Sequence, residues 1–144
     1  MKASVELGDW AALGTEAKGV RQRVFVEEQG VPAALEYDAA DADCLHALAR
    51  DRAGRVIGTG RLLPDGHIGR LAVLADARHQ GVGRAIMKHL LEAAIARGHD
   101  RVILNAQVDA QPFYRLLGFS ATGAVFHEAG IPHITMSKKL SDGR

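Results

Sequence analysis

The sequence predicts an α+β protein in three layers (α/β/α), built on a mixed, mostly antiparallel sheet of six to seven strands with helices on both faces. Three observations carry this. The elements read in the order β, α, β, β, β, α, β, α, β, β. The passage from His67 to Ala106 runs strand, long helix, strand, which implies a parallel pair joined by a right-handed crossover. The remaining strands are short, apolar and separated by tight turn signals, as antiparallel neighbours are. A length of 144 residues fits one domain spanning 1–144. A domain of that size buries roughly 70% of its unfolded surface, enough for a core without a metal or disulfide staple.

Lys2 to Leu7 alternates apolar and polar residues and reads as the first strand. Asp9 is placed to cap a helix from about Trp10 to Gln29. Gly14 and Gly19 interrupt that helix, while Ala17, Val20, Val24 and Phe25 share one face of it. Gly30-Val31-Pro32 ends it, and the acidic stretch Pro32 to Asp43 has no period and reads as an ordered loop. Leu45–Arg50, Val56–Leu63 and His67–Val73 form a meander around the turns Asp51-Arg52-Ala53-Gly54 and Pro64-Asp65-Gly66. The most regular helix runs from about Val82 to Arg97, with Val82, Ile86, Leu90, Ala93 and Ala94 on one stripe, and Gly98 stops it. Arg101–Ala106 is a buried strand. Ala110–Leu117 is a short helix that tolerates Pro112 in its first turn, with Gly118 as its cap. Ser120–His127 and His133–Leu140 close the sheet, with Gly130-Ile131-Pro132 as their connection. The residues after Leu140 are polar and read as frayed.

Composition narrows the function. Lys and Arg number 18 against 17 Asp and Glu, a net charge of +1, which argues against a general nucleic-acid or anionic-membrane surface. There is neither a signal-peptide stretch nor a transmembrane-length apolar run, so a cytoplasmic location is expected. A single cysteine, Cys44, excludes a disulfide framework and a cysteine zinc cluster. The histidines lack metal-ligand spacing, so no metal is expected. Cys44 and His46 share a strand face, but a small buried apolar side chain is the simpler reading of Cys44.

The informative segment is Leu71-Ala72-Val73 followed by Arg78-His79-Gln80-Gly81-Val82-Gly83-Arg84. A strand feeds a glycine-containing turn that opens a long helix. Backbone N–H groups converge there, the helix dipole adds partial positive charge, and Gly81 and Gly83 let an anion approach the backbone closely. Arg78 and Arg84 add fixed positive charge. Phosphate or pyrophosphate suits such a turn. A P-loop is excluded because no Gly-Lys-Ser/Thr occurs. The dinucleotide fingerprint fails too, with Ile86 where the third glycine belongs and Leu63 in that place after Gly58-x-Gly60. A plain helix-opening turn remains open on the residues alone.

Arg78-x-x-Gly81-x-Gly83 resembles the acetyl-coenzyme A motif of the GNAT superfamily of N-acetyltransferases, R/Q-x-x-G-x-G/A. Pro112-Phe113-Tyr114-Arg115-Leu116-Leu117-Gly118-Phe119 is similar to the family's F-Y-x-x-x-G-F segment. Arg21 to Gln29 with Val31-Pro32, and Gly130-Ile131-Pro132-His133, resemble the ElaA-like branch. The likeness runs from about Val5 to Leu140 and implies a GNAT-like acyl-CoA N-acyltransferase fold.

The resemblance implies transfer of an acetyl group from acetyl-CoA, the co-substrate, to a primary amine of a small molecule or peptide by direct attack in a ternary complex. The coenzyme would lie along Leu71, Ala72 and Val73 and over Arg78, His79, Gln80, Gly81, Val82, Gly83 and Arg84, with Asn105, Phe113 and Tyr114 completing its contacts. The Val73 N–H would face the thioester oxygen, a donor worth roughly 3–4 kcal/mol in comparable sites. Tyr114 matches the tyrosine that protonates the departing thiolate. A phenol near 10 against a thiol near 8–9 makes that transfer nearly balanced. The amine needs a base or a water chain. Glu28 and His133 lead the candidates, ahead of His127, Glu128 and His67. The acidic residues Glu36, Asp38, Asp41 and Asp43 are either a lure for a cationic acceptor or a solvated loop. A non-catalytic acyl-CoA-binding or regulatory module of the same fold is the alternative function, and an unrelated phosphate-ligand binder a third. A monomer or homodimer is expected, since the C-terminal strands offer edges.

Overall fold

A computed structural model describes residues 3–140. Lys2, where the first strand was expected to begin, and the residues after Leu140 lie outside the described residues. β1 (Ser4–Gly8), β2 (Leu45–Arg50), β3 (Val56–Leu62) and β4 (Ile68–Val73) form an antiparallel sheet in that order. β5 (Arg101–Gln107), β7 (Ile131–Lys139) and β6 (Ser120–Glu128) form a second, with β7 in the middle. One parallel bridge, His67–Ile103, joins the two.

Helices cover opposite faces of the four-stranded sheet. α1 (Trp10–Arg21) packs Leu13 and Ala17 on Leu48 of β2. Its start follows the expected cap, with Asp9 Oδ1 accepting from the Ala12 N–H at 2.9 Å. The neighbours of Leu48, Ala47 and Ala49, pair with Gly60 and Gly58 of β3 and point the other way. There α3 (Val82–Ala96) lies directly on the glycines. A Cβ on Gly58 would stand 2.9 Å from Ile86 Cδ1, and one on Gly60 3.0 Å from Ile86 Cγ2. This close approach gives the Gly58-x-Gly60 pair its structural role. Val82, Ile86, Leu90 and Ala94 are all buried, as their spacing predicts.

Three local expectations are corrected. The first helix does not run evenly to Gln29. After Arg21 it widens into a π-helix over Gln22–Glu28, in which Gln29 donates to Val24 O at 3.0 Å. The acidic stretch is not a plain loop, since α2 (Ala33–Glu36) and a 3-10 turn (Ala39–Asp43) are folded within it. Ile131 and Pro132 are not connection but the start of β7. Pro132 is tolerated because it lies beyond the end of β5, whose last pair is Gln107 with His133, so no ladder N–H is missed on that side. α4 (Gln111–Leu116) has its proline at the start and Gly118 at φ +96 after its end. No helix among the described residues is long and apolar enough to cross a membrane.

Candidate active site

Beyond the His67–Ile103 bridge, β4 and β5 part. A cavity of 1160 Å3 opens between them, lined by Gly69–Val73 on one wall and Leu104, Asn105 and Gln107 on the other. Pairing with β3 satisfies only one edge of β4. Leu74 donates to Ile57 O at 2.9 Å. By antiparallel alternation the Val73 N–H therefore points away from β3, into the gap.

The glycine turn closes one end of this gap. Gly81 adopts φ +84 as the residue before α3, and no side chain caps the helix. Ala85 is the first to bond back, to Gly81 O at 3.0 Å. The N–H groups of Val82, Gly83 and Arg84 thus stay available at a positive dipole end. A Cβ on Gly81 would meet nothing within 4 Å, so glycine answers there to backbone conformation. His79 also takes a positive φ of 62. His79, Gly81, Val82, Gly83 and Arg84 line the cavity; Gln80 does not, and its amide turns back to Asp76 O.

Arg78 is not the free positive charge expected from the sequence. Its Nε donates to Val73 O at 2.9 Å, and Nη1 and Nη2 grip the two oxygens of Glu28 at 2.6 Å each. The hydrogen bonds from Arg78 hold the Glu28 carboxyl below its usual range. Glu28 itself is absent from the cavity wall. Glu28 is the last residue of the π-helix, whose hydrogen bonds span one residue more than those of an α-helix, and from there it meets Arg78.

Tyr114 lines the cavity with its ring set edge-on to Phe113 and Phe119, at centroid distances of 5.0 and 5.9 Å. Burial pushes its phenol up to about 12. That departs from the near-balanced transfer expected for an ordinary phenol. His133 is also on the wall. Its Nδ1 lies 2.7 Å from Ile131 O and its ring stacks on Phe126. A carbonyl only accepts, so Nδ1 is the donor in this contact, and Nε2 is the nitrogen left for other partners. Asn105 lines the gap and accepts from Thr135 Oγ1 at 3.0 Å. Of the other base candidates, His67 and Glu128 line the cavity and His127 does not.

Sequence reasoning missed the far wall. Glu36, Asp38 and Asp41 are neither a lure for cations nor a solvated loop. Arg21 binds Glu36 at 2.8 Å and Asp41 at 2.9 Å, and Arg61 binds Asp38 and Asp41 at 2.7 Å each. Burial raises the Asp41 carboxyl, but the bonds from Arg21 and Arg61 outweigh it and leave the group low. Glu36, Arg61 and Arg70 face the cavity beside Phe25, Leu35 and Leu63. Glu36, Asp38 and Asp41, with Arg21 before them and Arg61 and Arg70 after, were the available signal, but the pattern carries no pairing information by itself. Cys44 is buried and donates to Ala40 O, while the His46 ring bonds Asp41 O, so the two form no reactive pair. No cluster of three or more metal-ligating side chains occurs among the described residues.

The comparisons with known proteins agree with this geometry. The family model described as acetyltransferase (GNAT) domain matches residues 12–140. The chain is 42% identical over 123 residues to the uncharacterised N-acetyltransferase YjcF of Bacillus subtilis (strain 168), covering 83% of this chain and 87% of that one. It is 33% identical over 132 residues to protein ElaA of Escherichia coli (strain K12), covering 84% of each. Among solved structures it resembles an acyl-CoA N-acyltransferase from Pseudomonas aeruginosa, with a TM-score of 0.84 and 33% identity over 95% of this chain and 99% of that one. The crystal structure of Escherichia coli ElaA also aligns with a TM-score of 0.84, at 28% identity over 96% of this chain and all of the other. The glycine turn, the parted strands and these relatives lead to one assignment: the chain belongs to the GNAT acetyltransferases and is a relative of ElaA.

Proposed function

We propose that the protein transfers an acetyl group from acetyl-CoA to a primary amine of a small molecule or peptide, by direct attack with both substrates bound. The observation that carries this reading is the parting of β4 and β5 beside an uncapped helix start. A free strand edge and a cluster of free N–H groups border one cavity. These suit an amide-bearing arm and a diphosphate respectively. The group fits the residues present, and acetyl-CoA supplies an activated acetyl thioester from which a neutral amine takes the acetyl group as the thiolate leaves.

The chain's own residues have these roles. The N–H groups of Val82, Gly83 and Arg84 hold the diphosphate, and the free edge from Leu71 to Val73 pairs with the arm. The Val73 N–H donates to the acyl oxygen as charge grows there. Tyr114 stays protonated at every physiological pH and donates its O–H to the leaving sulfur. A full proton transfer from a phenol near 12 to a thiolate of ordinary pKa is uphill by about 5 kcal/mol, so hydrogen bonding during bond breaking is its main contribution. His133, through Nε2 or a water, takes the amine proton. Glu28, locked to Arg78, acts by positioning the turn. A cytoplasmic site of action completes the reading.

The test is direct. Acetyl-CoA at ~100 times its Kd stabilises the protein by about 2.7 kcal/mol, and CoA is released when the matching amine from a panel is added. Tyr114→Phe lowers turnover about 100-fold or more while calorimetry finds acetyl-CoA affinity little changed. No stabilisation by acetyl-CoA, or wild-type turnover in the Phe variant, overturns the corresponding assignment.

A further inference from the structure

Resting on the acetyl-transfer reading, we propose that the acceptor amine carries an anionic oxygen group, and that the Arg70 guanidinium receives it. Three arginines face three carboxylates on the far wall, but the pairing is uneven. Arg21 uses its Nε and both terminal nitrogens on Glu36 and Asp41. Arg61 places Nη1 on Asp41 and Nη2 on Asp38. Arg70 takes what remains. Its Nε stands 3.2 Å from Glu36 Oε2 in a poor direction and forms no hydrogen bond, and Asp38 is 3.7 Å away. Nη2 reaches only the Glu36 carbonyl, at 3.3 Å. Among the described residues Nη1 has no hydrogen-bond partner. Arg61, which is 6% exposed, likewise has a buried Nε without a partner. Both residues line the cavity. The two Nε atoms are sealed from the cavity, but the Arg70 side chain is 25% exposed, and its unmatched Nη1 leaves room for an acceptor atom there.

The backbone at Arg70 supports the same conclusion. β4 carries one extra residue opposite Gly60, because Thr59 pairs with Ala72 while Arg61 pairs with Gly69. Arg70 sits in this bulge at φ +50, a conformation an arginine seldom adopts. A bulge re-aims the side chain it carries. Here it keeps Arg70 on the cavity wall one residue before the free edge at Leu71. Burial, then repulsion from Arg61 and Arg21, lowers the Arg70 pKa, the opposite of the direction found at Arg21 and Arg61. Of the three, Arg70 is the under-compensated charge. Glu36 and Asp65 are the acids near it on this wall, with Asp38 behind it at 3.7 Å, and Arg61, Arg21 and His67 are the other cationic or titratable groups. The planar guanidinium fork suits a carboxylate best, with a phosphate sharing the same chemistry.

CoA release by the wild type is measured with amino acids against their α-amides, and with phosphoethanolamine against ethanolamine. We expect the anionic member of a pair to be favoured about 10- to 100-fold in kcat/KM, and the favoured pair tells carboxylate from phosphate. Arg70→Gln loses most of that preference through KM, and Arg70→Lys keeps part of it, having the charge without the fork. Melting temperatures confirm folding, and acetyl-CoA Kd stays within about two-fold in both variants. Equal or better use of neutral partners, a preference undiminished in Arg70→Gln, or turnover confined to cationic amines overturns the proposal. The wild-type panel decides even if a variant misfolds. Acetyl-CoA binding without discrimination sinks this inference alone, whereas no acetyl-CoA binding sinks the acetyl-transfer reading.

Discussion

Two arginine–carboxylate assemblies border the same cavity, and they use one chemistry for different ends. In the first, Arg21, Arg61, Glu36, Asp38 and Asp41 are drawn together under the far wall, where Arg21 and Asp41 are 2% and 4% exposed. In the second, Arg78 and Glu28 meet at the turn with their side chains 32% and 41% exposed. The hydrogen-bond geometry is as good in the second as in the first. The difference is water. Removing one partner of a buried set strands a desolvated charge, whereas an exposed pair is screened and contributes little net stability. The buried set therefore holds the wall's shape. The exposed pair links the π-helix residue Glu28 to the end of β4, because the same guanidinium also bonds Val73 O, and in the proposed function it positions the turn.

This contrast can be broken by substitution. The largest effect is expected from Asp41→Asn, which leaves Arg21 and Arg61 short of a counter-charge and should cost about 3–5 kcal/mol in denaturant unfolding. A loss under 1 kcal/mol would mean that the wall does not depend on its charges. Gly81→Ala tests the turn through its backbone. A side chain at φ +84 meets no atom, so the loss should be about 1–2 kcal/mol of conformational strain, accompanied by weaker acetyl-CoA binding as the N–H groups shift. Unaltered stability and binding would show the turn to be pliable. Glu28→Gln should change stability by less than about 1 kcal/mol while shifting acetyl-CoA affinity or turnover through Arg78. A large stability loss there would erase the contrast between the two assemblies.

Acid titration sharpens the comparison. Glu28, Asp38 and Asp41 all have carboxyls held below their ordinary values near 4. Each contribution to stability is fully present above the unfolded value and is lost as pH falls through the lower folded one. The acid limb of unfolding should flatten in Asp41→Asn and stay nearly parallel to wild type in Glu28→Gln. Parallel limbs in both variants would place the coupling elsewhere.

Much of this was legible beforehand where the information is local. The buried stripe of α3 follows from helical spacing, the Asp9 cap from side-chain chemistry, and the meander β2 to β4 from its turn residues. The turn motif was readable because strand, glycines and helix adjoin in the chain. What escaped reading depends on residues far apart. Glu28 and Arg78 stand 50 positions from each other, so their ion pair could not be inferred from either segment. The same holds for Asp41 with Arg61, and for the acidic loop that proved to be a counter-charge. Gly69 and Gly60 flank the bulge at Arg70, but the strand pairing that makes it one joins segments apart in the chain. Pro132 looked like a connection because proline usually opposes a strand, and only the end of β5 beside it made strand permissible.

By itself the sequence determined the order of elements, the layered fold and the family to which the chain belongs, since periodicity, caps and an unbroken motif are properties of neighbours along the chain. Only the tertiary structure decided which charges are matched, where the sheet parts and which cation is left facing the cavity. Those depend on dielectric surroundings and on distances between segments that come together only on folding.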